Sequence, residues 1–292
     1  MTLALIDTHT HFDVSDFDHD RVSLAASALQ QGVKALALIG YLAAHFDRLI
    51  SVHDQLNQLH AQGLGPRSML VPGLHPFYIQ QHIDADLQRV EDVLRARACV
   101  AVGEIGLDTY SAEMKQPAVY QRQKDYFGLQ LDLAKQHDLP VMLHIRRAHG
   151  DALAILKKHQ FKRGGIAHAF GGGVEEAKAF IKLGFKLGIN GLVTDPNAKR
   201  LRSVVQAIGA EHLVLETDCP DMTPLCCRVA GEAHTRNTPV NLPAVLAELV
   251  VLLKDGDSGQ SQALAEQLWH NTRLCLDLDW NYPENHDNAT AD

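Results

Sequence analysis

The chain has 292 residues, 46% of them hydrophobic and 21% charged. That is globular composition with length enough for a large core, which excludes disorder and a small disulfide-stapled scaffold. Lys and Arg total 27 against 35 Asp and Glu, a formal net charge of -8, so the surface as a whole does not carry the basic field of a protein that coats nucleic acid, and any such contact must be local. Five cysteines, Cys99, Cys219, Cys226, Cys227 and Cys275, form no C-x-x-C pair, so a reduced, cytoplasmic protein is expected in place of a disulfide framework or zinc ribbon. No basic-flanked apolar leader and no run of about 18 apolar residues is present, so neither a secretion signal nor a membrane span is expected.

In chain order, short runs rich in Val, Ile and Leu alternate with longer segments of helical period. The strands are expected at Leu3 to Thr8, Val33 to Ile39, Ser68 to Pro72, Cys99 to Glu104, Pro140 to His144, Gly165 to His168, Phe185 to Ile189 and Leu213 to Glu216. Between them, Val22 to Gln31, His45 to Gln62, Ala85 to Ala96, Tyr120 to His137, Ala152 to His159, Glu175 to Leu183 and Arg200 to Ile208 place apolar residues three and four apart, as helices do. Eight such alternations favour a closed (β/α)8 TIM barrel over an open doubly wound sheet. Cys219 to Asn241 reads as a long loop, followed by helices at Leu242 to Leu253 and Gln262 to Leu274. The expected organisation is a single barrel domain over 1–280 with a polar tail over 281–292.

The chemistry gathers where the predicted strands end. Histidine is abundant, with 17 in the chain, and imidazole is the commonest metal ligand. The first strand runs into Asp7-Thr8-His9-Thr10-His11, where residues two apart share a side and His9 and His11 can converge on one ion. Later strands end in Leu74-His75-Pro76, Gly103-Glu104-Ile105-Gly106-Leu107-Asp108, Leu143-His144-Ile145-Arg146, His168-Ala169-Phe170 and Glu216-Thr217-Asp218-Cys219. A buried His or Glu taken alone is usually a satisfied core residue. Their recurrence at the carboxyl ends of barrel strands points to a site.

Glu104 and Asp218 offer two negative charges, and His9, His11, His144 and His168 offer neutral nitrogen, a set suited to two divalent cations. The simplest partition gives His9, His11 and Asp218 to one ion and His144 and His168 to the other, with Glu104 bridging. Two such ions about 3.5–4 Å apart can hold a shared hydroxide and clamp both oxygens of an ester under attack. Asp218 is placed to accept the proton as that hydroxide adds, so Glu104 and Asp218 are the expected catalytic carboxylates. Four imidazoles favour zinc, manganese or iron, on ligand softness, over magnesium.

The ordered blocks D-T-H-T-H-F-D, G-L-H-P, G-E-I-G-L-D, L-H-I-R, H-A-F-G-G and E-T-D-C-P resemble the TatD family of metal-dependent hydrolases, within the amidohydrolase-type barrels. The run after His144 and the Asp221-Met222 pair are more similar to its YjjV-type branch. The resemblance implies a metal-dependent DNase with the same six ligands, and allows magnesium as well as zinc or manganese. Arg236-Asn237-Thr238-Pro239 resembles the family's R-N-x-P block, which implies a substrate-side role for Arg236 and Asn237. Where the family usually has Ser before the glycines after the sixth strand, this chain has Gly171, so the resemblance does not carry over a substrate hydrogen bond from that hydroxyl.

Other positions on the rim have weaker roles. His75 can hydrogen-bond a phosphate or the leaving group, or merely shape the His-Pro turn. Arg146, two residues after His144, is a candidate phosphate clamp. Glu216, two before Asp218, can orient a histidine ligand, whereas alternation turns Cys219 away. The expected substrate is DNA or another phosphodiester, with no membrane and no protein partner implied. The same site on a carboxylic ester or amide, and a binding protein on an inherited barrel, are the alternatives.

Overall fold

The computed structural model describes residues 3–283. The predicted tail beyond Pro283 lies outside the described residues.

Strands and helices alternate as expected. β1 (Leu5–Thr10), β2 (Val33–Ile39) and β3 (Arg67–Val71) are followed by α1 (Arg21–Gln30), α2 (Phe46–Ala61) and α3 (Asp84–Ala96) respectively. β4 (Val102–Asp108), β5 (Val141–Arg146), β6 (Gly165–Ala167) and β7 (Phe185–Ile189) lead into α4 (Pro117–Gln136), α5 (His149–Lys158), α6 (Val174–Lys182) and α7 (Lys199–Ile208). After β8 (Leu213–Leu215) come the long loop, α8 (Leu242–Leu253) and α9 (Ser261–Cys275). No helix among the described residues is long and apolar enough to cross a membrane.

All strand pairs are parallel, β1 to β3 in one hydrogen-bonded run and β4 to β8 in another. Two junctions complete the TIM barrel. Between β3 and β4, Val100 N–H donates to Leu70 O (3.1 Å) and Gly103 N–H to Pro72 O (3.0 Å). Between β8 and β1, Thr8 Oγ1 donates to Leu215 O (2.9 Å) and Asp218 N–H to His9 O (2.9 Å). The Asp7 carboxylate reinforces this second junction by accepting from Thr217 N–H (2.9 Å) and Thr217 Oγ1 (2.5 Å).

The period-two alternation of each strand sorts its side chains between two cores. Ala35, Ala37 and Ile39 of β2 join Ile6, Met69, Met142, Ile166 and Val214 in the barrel interior. Leu36 and Leu38 instead pack with Leu49 and Leu56 of α2 in the layer between strands and helices. Trp269 and Cys275 of α9, with Leu276 and Leu278, belong to the interior cluster and plug the end where the strands begin. The polar ligand types are therefore left at the opposite end, where the strands finish.

Predicted and observed strands differ most where polar residues occur. β1 runs to Thr10 and β4 from Val102 to Asp108, whereas Cys99 makes only an isolated bridge to Leu70. Glu104 and Asp108 resemble strand-ending residues, yet β4 stays paired through Gly106 opposite His144 and Asp108 opposite Arg146. Gly106 has φ 141, and a Cβ there would lie 2.1 Å from the backbone oxygen of His144, which cannot move without breaking the β4–β5 ladder. Gly106→Ala is expected to destabilise the protein by about 2–4 kcal/mol in urea unfolding. Gly150→Ala, where a Cβ meets nothing within 4 Å, is expected to leave the midpoint nearly unchanged and serves as the control.

Candidate metal centre

Six of the eight strands deliver side chains to a common point, β1 two of them, and Glu104 is at its centre. Its Oε2 is 3.1 Å from His9 Nε2 and 3.6 Å from His11 Nε2. Its Oε1 faces another set: His144 Nδ1 at 2.8 Å, His75 Nε2 at 3.3 Å and His168 Nε2 at 3.9 Å. Asp218 spans both sets, with Oδ1 3.8 Å from His9 and Oδ2 3.5 Å from His168. All six residues expected to hold ions, His9, His11, Glu104, His144, His168 and Asp218, are thus brought together. Asp218 has φ 57, in the left-handed region that Asp tolerates better than most residues, at the turn that follows β8.

The donor set fits divalent ions. His9, His11 and Asp218 lie close enough to share one ion, as do His9, His168 and Glu216, and His75, Glu104 and His144. His9 is fully buried; its Nδ1 has no hydrogen-bond partner, and its Nε2 meets only carboxylate oxygens, Glu104 Oε2 at 3.1 Å and Asp218 Oδ1 at 3.8 Å. A buried imidazole without a partner is costly unless a ligand takes its lone pair. The His9 and His168 rings stack at 3.4 Å, an arrangement that two imidazolium cations would not keep.

The electrostatics follow from this crowding. Burial raises the Glu104 carboxyl, but His75, His9 and His168 outweigh it and hold Glu104 well below its usual range. Burial pushes Asp218 up to about 6 and drives the His75 imidazole down to about 4. His75 is therefore neutral at neutral pH, and its Nδ1 accepts the Phe77 N–H at 3.0 Å. Its single ring proton must then be on Nε2, aimed at Glu104. In this state His75 presents a hydrogen-bond donor to the site and no lone pair to an ion.

Two carboxylates stand behind the imidazoles. Asp108 Oδ2 is 2.9 Å from His144 Nε2, which leaves Nδ1 to face Glu104. Glu216 Oε1 lies 3.0 Å from His168 Nδ1 and accepts the Ala169 N–H at 2.7 Å, as expected of a residue that orients a histidine. Asp108 was missed as a site residue, although it follows Glu104 by four and strand alternation puts both on one side. Cys219 is turned away as expected, with its thiol against Thr10 Oγ1 at 2.7 Å.

Three sequence-derived candidates for substrate contact are engaged elsewhere. The Arg146 guanidinium lies 3.5 Å over the exposed Tyr110 ring and does not line the cavity. Arg236 pairs with Asp20, reaches Asp16 O and covers the Phe17 ring at 4.8 Å. Asn237 is fully buried, where its side chain donates to Thr217 O (2.9 Å) and accepts from Thr238 N–H (2.9 Å). Arg236 and Asn237 tie the long loop to the barrel and hold the turn that carries Asp218. The loop's remote sequence position concealed this, because such anchoring depends on contacts that no local pattern encodes.

The centre opens into a cavity of about 510 Å³ lined by His11, His75, Glu104, His144, His168 and Asp218 together with Val14, Tyr41, Phe77, Tyr78, Pro220, Asp221 and Met222.

The sequence matches the family described as TatD related DNase over residues 6–277. The chain is 35% identical over 266 residues to the uncharacterized metal-dependent hydrolase YjjV of Escherichia coli K12, with 90% of this chain and 96% of that protein covered. It is 31% identical to a Klebsiella pneumoniae protein named 3'-5' ssDNA/RNA exonuclease TatD, covering 95% of this chain and 99% of that one. The crystal structure of the E. coli YjjV protein superimposes with a TM-score of 0.83 at 33% identity, covering 95% of this chain and 99% of that one. With six ordered motifs, a shared fold and a common centre of His, Glu and Asp, the chain belongs to the TatD family of metal-dependent hydrolases.

Proposed function

We propose that the protein is a cytoplasmic nuclease that hydrolyses DNA phosphodiesters with two divalent ions, one held by His9, His11 and Asp218 and the other by His144 and His168, with Glu104 between them. The observation that carries this reading is the division of Glu104, whose two oxygens face two different imidazole sets. When bound, ions in such a pair act as Lewis acids on an ester oxygen and lower the pKa of water. The related TatD protein named as an ssDNA/RNA exonuclease supports a phosphodiester substrate.

The chain's own groups complete the chemistry. Asp218 reaches both sets and is placed to take the proton from the attacking water. His75 directs its Nε2–H into the same space, where it can donate to a phosphate oxygen. Asp108 and Glu216 hold His144 and His168 in their orientations. Five free cysteines suit a reducing compartment.

The test is to strip the protein of metal and restore zinc, manganese or magnesium in turn, assaying single-stranded DNA, bis-p-nitrophenyl phosphate and p-nitrophenyl acetate. Metal-restored cleavage of both phosphodiesters is expected. Turnover of the acetate alone would transfer the site to carboxylic esters, and stoichiometric metal without any turnover would make the barrel a binding protein.

A further inference from the structure

Part of the cavity wall is aromatic. Its rings step outward from the metal centre: His11 to Tyr41 at 5.6 Å, Tyr41 to Tyr78 at 5.5 Å and Tyr78 to Phe77 at 5.3 Å. A second route joins His75 to Tyr78 at 5.9 Å. Phe77, at the end of this path, is 48% exposed, and Met222, which also lines the cavity, is 40% exposed.

The turn that carries Phe77 is firmly held. Its N–H is bound by His75 Nδ1, Tyr78 N–H donates to His75 O (3.1 Å), and Ile79 behind it is buried. A fixed turn thus holds a large apolar ring in water at the entrance to a polar centre, and the ring adds nothing to the core. Burial raises the Tyr41 phenol to about 12 and lifts that of Tyr78, so both rings stay neutral, and Asp221 is the charged neighbour on this part of the lining.

We infer that the wall formed by Tyr41, Tyr78 and Phe77 seats the nucleobase next to the phosphate under attack, with Phe77 as the stacking face. This rests on the nuclease reading and adds how substrate is selected. With the phosphate at Glu104 and His75, the adjoining nucleoside extends along the ring path toward Phe77. Stacking on an aromatic face requires a base free of its duplex neighbours and is indifferent to which base it is. The wall therefore selects unpaired strands with little sequence preference, and a protein of formal charge -8 gains affinity that does not depend on a basic surface.

Phe77→Ala and Phe77→Trp are compared with the wild-type protein on a single-stranded oligonucleotide and on its counterpart with abasic residues. The wild type is expected to favour the base-bearing oligomer in kcat/KM. Phe77→Ala should shrink that preference about tenfold, mainly through KM, and Phe77→Trp should preserve it. An unchanged preference in Phe77→Ala would overturn the inference. Binding of a 2-aminopurine oligomer, read as fluorescence quenching, separates this inference from the nuclease reading. Quenching that depends on Phe77 without cleavage would retain the base seat and reject the nuclease. Cleavage with quenching indifferent to Phe77 would do the reverse, and absence of both would reject both.

Discussion

Glu104→Ala is expected to lower phosphodiester hydrolysis on the order of a thousandfold, equivalent to about 4 kcal/mol of barrier. Whereas Asp218 reaches one imidazole of each set, Glu104 meets five, with His9 and His11 at one oxygen and His75, His144 and His168 at the other. Its removal leaves five imidazoles around a cavity without their shared anion, so divalent ions should be lost together with turnover. Metal per chain by mass spectrometry and the rate on single-stranded DNA are the paired measurements. Far-ultraviolet circular dichroism should show the barrel intact. A variant that kept two ions and wild-type turnover would remove Glu104 from its bridging position. The effect should exceed that of changing a carboxylate that acts through a histidine, such as Asp108, where about 10–100-fold is typical.

The legible part of this site was the part written into strand periodicity. His9 and His11 are two apart, and their rings lie 5.3 Å from each other, as alternation requires. Each remaining ligand lies on or just after a different strand, and barrel topology brings those strands together. Glu216 was legible for the same reason, being two residues before Asp218. Where the structure engages a side chain differently from the sequence expectation, the cause is a contact made across a long sequence separation. Alternation suggested that Arg146 would share the side of His144, but β5 ends there and the guanidinium stacks on Tyr110. A family-like block suggested substrate contacts for Arg236 and Asn237, yet Asp20 and the Thr217 carbonyl engage them. The aromatic wall combines Tyr41, after β2, with Phe77 and Tyr78, after β3. Nothing in either segment alone marks it as lining the site.

Asp7→Ala is expected to destabilise the fold by about 3 kcal/mol, because Thr217 N–H and Oγ1 would lose their acceptor in a fully buried place. These bonds join β1 to β8 where the barrel closes, one residue before Asp218. Burial raises the Asp7 carboxyl from 3.8 to about 7, so the fold favours its protonated form. The stability this contributes is fully present below pH 3.8 and is lost as pH rises through about 7. Asp7→Asn keeps an acceptor and cannot ionise, so its deficit against wild type should narrow between pH 5 and pH 7, whereas Asp7→Ala stays destabilised at both. Urea midpoints of the three proteins at the two pH values provide the measurement. A constant difference between wild type and Asp7→Asn would show that Asp7 does not titrate in that window. An Asp7→Ala midpoint equal to wild type would show that closure does not depend on the carboxylate. Because the same bonds fix the residue preceding Asp218, loss of closure in Asp7→Ala should also reduce hydrolysis, linking the stability of the last barrel seam to the aim of its catalytic carboxylate.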